Sequence, residues 1–179
     1  MSDYERLERK LVYKGAIIDV YCDDIRIPDG RVRQWDFIGH KGAAAMLPVD
    51  NDGNIIMVRQ YRNSIDRYTL EIPAGGKEPE EDGLICALRE LEEETGYRTE
   101  EAHHLFDLYT TVAFANEKIA IYYTEKLIPS KQNLDDGEYL NVERYPLDEL
   151  LQMIFDNKIQ DAKTIAALMA YKVIKTEKQ

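Results

Sequence analysis

Four glutamates, Glu90, Glu92, Glu93 and Glu94, crowd into five consecutive positions of a segment that otherwise reads as a helix. Glu90 and Glu94 stand at i and i+4, so their carboxylates share one face, and Glu93 lies beside them. Like charges at that spacing destabilise a helix by roughly 0.2–0.5 kcal/mol per pair. Folding gives no reason for the cluster, whereas a bound divalent cation does, because oxygen-rich sets suit Mg²⁺ or Mn²⁺. The competing reading is a solvated acidic helix face, which is what most charge runs are. A solvated face would not need Gly75 and Gly96 at the two ends of the segment, nor Arg89 among the acids.

The elements that must position these residues follow from patterning. Residues 10–40 read as a small antiparallel β unit, with strands over Ile17–Ile27 and Val32–Ile38 joined by the turn Pro28-Asp29-Gly30. Gly42 to Val49 reads as a buried strand, Asn51-Asp52-Gly53-Asn54 as a hairpin turn, and Ile55–Tyr61 and Tyr68–Ile72 as two further strands. Pro73 to Gly76 is expected to be a loop into a helix from about Glu80 to Thr95. That helix has an apolar stripe of Leu84, Leu88 and Leu91, and Gly96 stands as its C-terminal cap. Three strands (Leu105–Thr111, Ile119–Leu127, Tyr139–Tyr145), a short helix over Leu147–Phe155 and a last helix capped by Asp161 complete an α/β layered fold.

The 179 residues suit one compact domain, or one with a small appendage. A formal charge of −11 argues against nucleic acid and against an anionic membrane surface as partners. No apolar run approaches the roughly 20 residues that span a bilayer. Two cysteines, Cys22 and Cys86, make no disulfide framework, and the polar first residues do not read as a signal peptide, so a cytoplasmic location is expected.

The stretch from Gly75 to Tyr97 resembles the Nudix box: Gly75, Glu81, Arg89, Glu90, Leu91, Glu93, Glu94 and Gly96 all fall in register, and only Tyr97 stands where an aliphatic residue is commoner. The resemblance implies a Nudix α/β/α sandwich with a mixed sheet over residues 41–179. It also implies a small N-terminal antiparallel β module, residues 1–40, that dimerises or walls the substrate. It implies catalysis with two or more Mg²⁺ ions, or Mn²⁺, held by Glu90, Glu94, Glu93 and the backbone carbonyl of Ala74. Arg89 would orient these carboxylates, and Glu81 would join the loop's hydrogen bonds or make a weaker metal contact.

The run Val58-Arg59-Gln60-Tyr61-Arg62 and the later Leu70-Glu71-Ile72-Pro73-Ala74-Gly75 resemble the ADP-ribose pyrophosphatase branch, as do Leu134 to Tyr139 and Asp161-Ala162-Lys163-Thr164. By that resemblance Arg62 and Glu71 face the substrate, and Glu138 is the general base or positions the attacking water. Glu117 matches the branch in Thr111-Val112-Ala113-Phe114-Ala115-Asn116-Glu117, whereas Val112 and Ala113 replace its Pro and Gly, and Asn141 stands where an acid is common. Trp35 could stack on adenine, or equally fill a core or a subunit interface.

These readings imply a homodimeric hydrolase that cleaves the pyrophosphate of a nucleoside diphosphate sugar, foremost ADP-ribose to AMP and ribose 5-phosphate. The alternatives are the same chemistry on GDP-mannose, ADP-glucose or a dinucleotide polyphosphate, and a non-catalytic nucleotide-sugar sensor. The retained Glu90, Glu93 and Glu94 count against the sensor.

Overall fold

The computed structural model describes residues 3–177. The chain divides into two units: one runs to Gly42 and includes Tyr109–Lys118, and the other comprises Ala43–Leu108 and the chain from Ile119 onward.

The first unit is built on an antiparallel sheet of β1 (Glu5–Lys14), β2 (Asp19–Arg26) and β3 (Val32–Gly39), in that order. The turn between β2 and β3 needs Gly30, whose φ of 86° lies in the left-handed region, and Gly30 N–H donates to the Ile27 carbonyl at 2.9 Å. β1 lies outside the two strands expected here, because almost every side chain of Glu5–Lys14 is exposed and the segment lacks a buried alternation. Asp23 on β2 is buried, and Arg9 answers its charge with two hydrogen bonds of 2.7 and 2.6 Å. Those bonds hold the Asp23 carboxyl below the usual carboxylate range.

The second unit contains β4 (Ala43–Pro48), β5 (Asn54–Arg62), β6 (Arg67–Glu71), β7 (Ala74–Gly76), α1 (Gly83–Thr95) and β8 (Tyr97–Arg98). β9 (His103–Tyr109), β10 (Lys118–Thr124), β11 (Ile128–Pro129), β12 (Leu140–Pro146), α2 (Leu147–Phe155) and α3 (Ala162–Glu177) follow. A mixed sheet runs β7-β4-β10-β9, with β4 parallel to β10 and antiparallel to β7. A second, antiparallel sheet runs β12-β5-β6.

The strand period of two sends the mixed sheet's side chains into two cores. Ala44 and Met46 of β4, with Ala120 of β10, meet Cys86, Ala87 and Leu91 of α1. The alternate residues Ala45, Leu47, Ile119 and Ile121 meet Leu150 of α2 and Ala167, Leu168 and Tyr171 of α3. This is the expected α/β/α layering. It holds α1 by its apolar stripe; truncating fully buried Leu91 to Ala would cost about 2–5 kcal/mol.

The strands expected over Leu105–Thr111 and Ile119–Leu127 run instead over His103–Tyr109 and Lys118–Thr124, and two boundaries at the acidic segment also differ from expectation. α1 begins at Gly83 rather than near Glu80, because Glu80 has φ 61° and Asp82 caps the helix, accepting from Leu84 N–H at 2.8 Å. Pro73 to Gly76 is not wholly a loop: Ala74–Gly76 forms β7, paired to β4 through Ala43↔Gly76 and Ala45↔Ala74. Gly96 closes α1 with φ 70° and an N–H to the Glu92 carbonyl at 2.9 Å. Among the described residues, no helix is long and apolar enough to cross a membrane.

Candidate metal and substrate site

Helix α1, strand β7 and the loop between them set the acidic cluster. Arg89 is the hub. Its Nε and Nη2 donate to the two oxygens of Glu81 at 2.9 and 3.0 Å, and its Nη1 donates to Glu90 Oε1 at 2.7 Å and Glu93 Oε2 at 2.9 Å. Nη2 also reaches the Gly76 carbonyl at 3.1 Å. One guanidinium thus joins the loop, β7 and two helix carboxylates, which suits its rigid fork of donors. The Arg89 hydrogen bonds hold Glu81 down at about 2, and Glu81 also accepts from Glu78 N–H at 2.9 Å.

Glu94 lies deeper, 3% exposed, and accepts from the Ala74 N–H at 3.0 Å. Burial, then the charge of Glu90, push its carboxyl up to about 8. Burial likewise raises Glu90. The negative charge of Glu138 also raises both carboxyls, after these larger causes. The loop that carries it turns at Gly137, φ 87°, and Glu138 N–H donates to the Asp135 carbonyl at 3.0 Å.

β7 approaches the cluster as closely as a chain can. A Cβ built on Gly75 would stand 2.0 Å from Glu90 Oε1. Cys86 packs beneath, its thiol 3.6 Å from the Gly75 and Gly76 carbonyls, and burial pushes that thiol up to about 12.

The donor set fits a hard divalent cation: carboxylates raised by burial and by one another's charge, beside the backbone of β7. As placed, no three His, Cys, Asp or Glu side chains among the described residues close into a cation cage. Glu90 and Glu93 each give one oxygen to Arg89, so an ion must draw on their other oxygens and on Glu94.

Arg62, at the end of β5, stands opposite Arg67, and Glu71, at the end of β6, stands opposite Val58, but the long Arg62 side chain runs back along the strand pair to Glu71. Glu71 is 2% exposed. Its Oε1 accepts from Arg62 Nε at 2.7 Å and from the Thr69 hydroxyl at 2.6 Å; its Oε2 accepts from Arg62 Nη2 at 2.7 Å and from Lys163 Nζ. Burial opposes ionisation of Glu71, but the hydrogen bonds and charges of Arg62 and Lys163 together outweigh it and hold the carboxyl at about 2. Glu71 is therefore placed to support Arg62 rather than to offer a free carboxylate. Lys163, Asp161 and Thr164 were visible in the sequence only as part of a branch resemblance and as a helix cap. The one further signal was a lysine on the inward face of α3, buried with Thr164, Ala167 and Leu168.

Trp35 and Glu117 belong to the first unit. Trp35 is half-exposed on β3, its ring 5.8 Å from that of Tyr4. Glu117 accepts from the Thr110 hydroxyl at 2.8 Å and stands 3.6 Å from His40 Nε2.

A family model described as NUDIX domain matches residues 39–168. The chain is 35% identical over 164 residues to the ADP-ribose pyrophosphatase of Bacillus subtilis (strain 168), covering 90% of this chain and 89% of that protein. It is 36% identical over 171 residues to the methanol dehydrogenase activator of Bacillus methanolicus, covering 94% and 92%. Among solved structures, an ADP compounds hydrolase superposes with a TM-score of 0.86 at 22% identity, covering 98% of this chain and 95% of that one, which shows a shared fold.

Proposed function

The chain belongs to the NUDIX family, and from that premise we propose that it hydrolyses the pyrophosphate bond of nucleoside diphosphate sugars, with ADP-ribose as its substrate. The observation that carries the reading is the Arg89-clamped cluster of Glu90, Glu93 and Glu94 packed against β7. The reaction is the addition of water across one P–O bond of the pyrophosphate, giving AMP and ribose 5-phosphate.

Catalysis is divalent-metal dependent, and Mg²⁺, as two or more ions, is the proposed occupant. When bound, such ions neutralise phosphate oxygens and lower the pKa of the attacking water. The residues that would hold them are Glu90, Glu93, Glu94 and the Ala74 carbonyl. Arg89 keeps the carboxylates in register by hydrogen bonds. Arg62 binds a substrate phosphate through the guanidinium edge that Glu71 leaves free. Glu138 takes the proton of the attacking water. On sequence grounds Trp35 and Glu117 are assigned to the nucleoside end.

The first unit is proposed to dimerise. Its sheet exposes apolar residues on both faces, Leu11 and Trp35 on one and Tyr13 and Val32 on the other, and a second copy would cover part of that area. Light scattering is expected to return twice the 20.8 kDa chain mass. Both cysteines are free thiols, which supports a reducing, cytoplasmic location.

The test is phosphate release, after coupling with alkaline phosphatase, from ADP-ribose, ADP-glucose, GDP-mannose, UDP-glucose, diadenosine polyphosphates and dNTPs with Mg²⁺. Preference for ADP-ribose supports the reading. Preference for another sugar nucleotide would assign Val112 and Ala113 a change of specificity, and inactivity on all of them would refute hydrolysis of this substrate class.

A further inference from the structure

Lys163 stands in the first turn of α3 with its side chain only 9% exposed, paired to Glu71 and, at 3.0 Å, to Asp161. This is a costly place for an ammonium group. A cation in the first turn opposes the helix macrodipole, and a buried ion must be repaid by its partners. Glu71 does not need it for neutrality, because Arg62 already binds both of its oxygens. Asp161 is occupied in capping α3, accepting from Thr164 N–H at 3.0 Å and the Thr164 hydroxyl at 2.6 Å.

We propose that Lys163 is a positioning residue for substrate binding, which acts through Glu71 to aim Arg62 at a substrate phosphate. Asp161, 3.0 Å from Lys163, balances the lysine's charge, so what Lys163 adds is geometric, and Arg62 is the most exposed member of the set. Four donors also fill the Glu71 carboxylate and fix its plane, so the Arg62 Nε–Nη2 edge is held and Nη1 remains for another anion. The same helix start steadies the chain leading to β7, since the Thr164 hydroxyl accepts from Ile72 N–H at 3.0 Å. The inference rests on the role given to Arg62 above.

The experiment compares Lys163→Met in the wild-type and Arg62→Ala backgrounds, reading KM and kcat for ADP-ribose at saturating Mg²⁺ and Tm without substrate. K163M is expected to raise KM at least tenfold with kcat within threefold. In the R62A background it is expected to leave KM within twofold, although Tm falls similarly in both. An unchanged KM in the wild-type background, or an equal rise in both, overturns the proposal and leaves Lys163 a merely structural ion. If K163M does not fold, Lys163→Gln, whose amide is one atom shorter and holds Glu71 more weakly, carries the same comparison with a smaller rise in KM expected. Wild-type protein that hydrolyses no member of the substrate panel overturns the functional reading itself, and the role of Lys163 with it.

Discussion

Replacing Gly75 by alanine separates the proposed metal site from the fold. The new Cβ would stand 2.0 Å from Glu90 Oε1 and 2.1 Å from its Cδ, against an ordinary contact of about 3.4–4 Å. The Glu90 carboxylate must therefore move by more than about 1 Å, whereas metal–ligand distances tolerate only about 0.2 Å. The backbone at Gly75 is not in the left-handed region, so alanine itself brings no conformational strain. The moving group is the far end of a flexible side chain. The movement breaks the 2.7 Å bond from Arg89, and the lower entropy of the unfolded alanine variant offsets part of that loss. The net stability change is about 1 kcal/mol or less, a Tm shift of about 2–4 °C. Mg²⁺ affinity should fall roughly 10–100-fold, or about 1.4–2.8 kcal/mol. Calorimetric titration of Mg²⁺ into both proteins, with a thermal melt of each, measures both quantities. Affinity within twofold of wild type would refute Glu90 as a ligand. A large loss of stability with unchanged affinity would refute the separation of site from fold.

Three further outcomes are expected. Glu94, raised from 4.5 to about 8, must lose its proton to take an ion, so Mg²⁺ binding at pH 7 should release about 0.9 proton and its affinity should fall about tenfold per pH unit below 8. Because its folded value is the higher one, Glu94 stabilises the metal-free protein below pH 4.5, and this is lost as pH rises through 8; the Tm gain from Mg²⁺ should grow from pH 6 to 9, and a flat profile would contradict the assignment. Arg89→Lys exchanges a fork holding three carboxylates for a point charge and should lower kcat about 10–100-fold with the helix content of circular dichroism intact, a result that full activity would exclude. Glu138→Gln should lower kcat about 10²–10⁴-fold with KM nearly unchanged, and a pure KM effect would recast Glu138 as a binding residue.

The acidic cluster was legible before any coordinates because its logic is local. Spacing of three and four residues defines a helix face, and caps such as Gly96 act within one turn. Continuous burial along β4 was equally legible, since a strand between two helical layers must be apolar on both faces. β1 was not, because Glu5–Lys14 is held by pairing with β2 and not by a buried face of its own. The extension of the turn through Glu80 was missed for a different reason: a left-handed glutamate has no sequence signature, and the Asp82 cap settled the start of α1.

What the amino-acid order determined alone is therefore the set of groups and the short-range faces that carry them: carboxylates on α1, a glycine at the strand against them, an arginine within one turn. Which charge answers which was decided only by the tertiary structure. Glu71 could be read as a substrate-facing acid until folding set it against Arg62, nine positions away, and Lys163, ninety-two positions away. The physical reason is range. Helix faces and caps are fixed by backbone geometry within a turn, whereas the partner of a buried charge is chosen by how sheets and helices pack, and burial makes that choice costly to change.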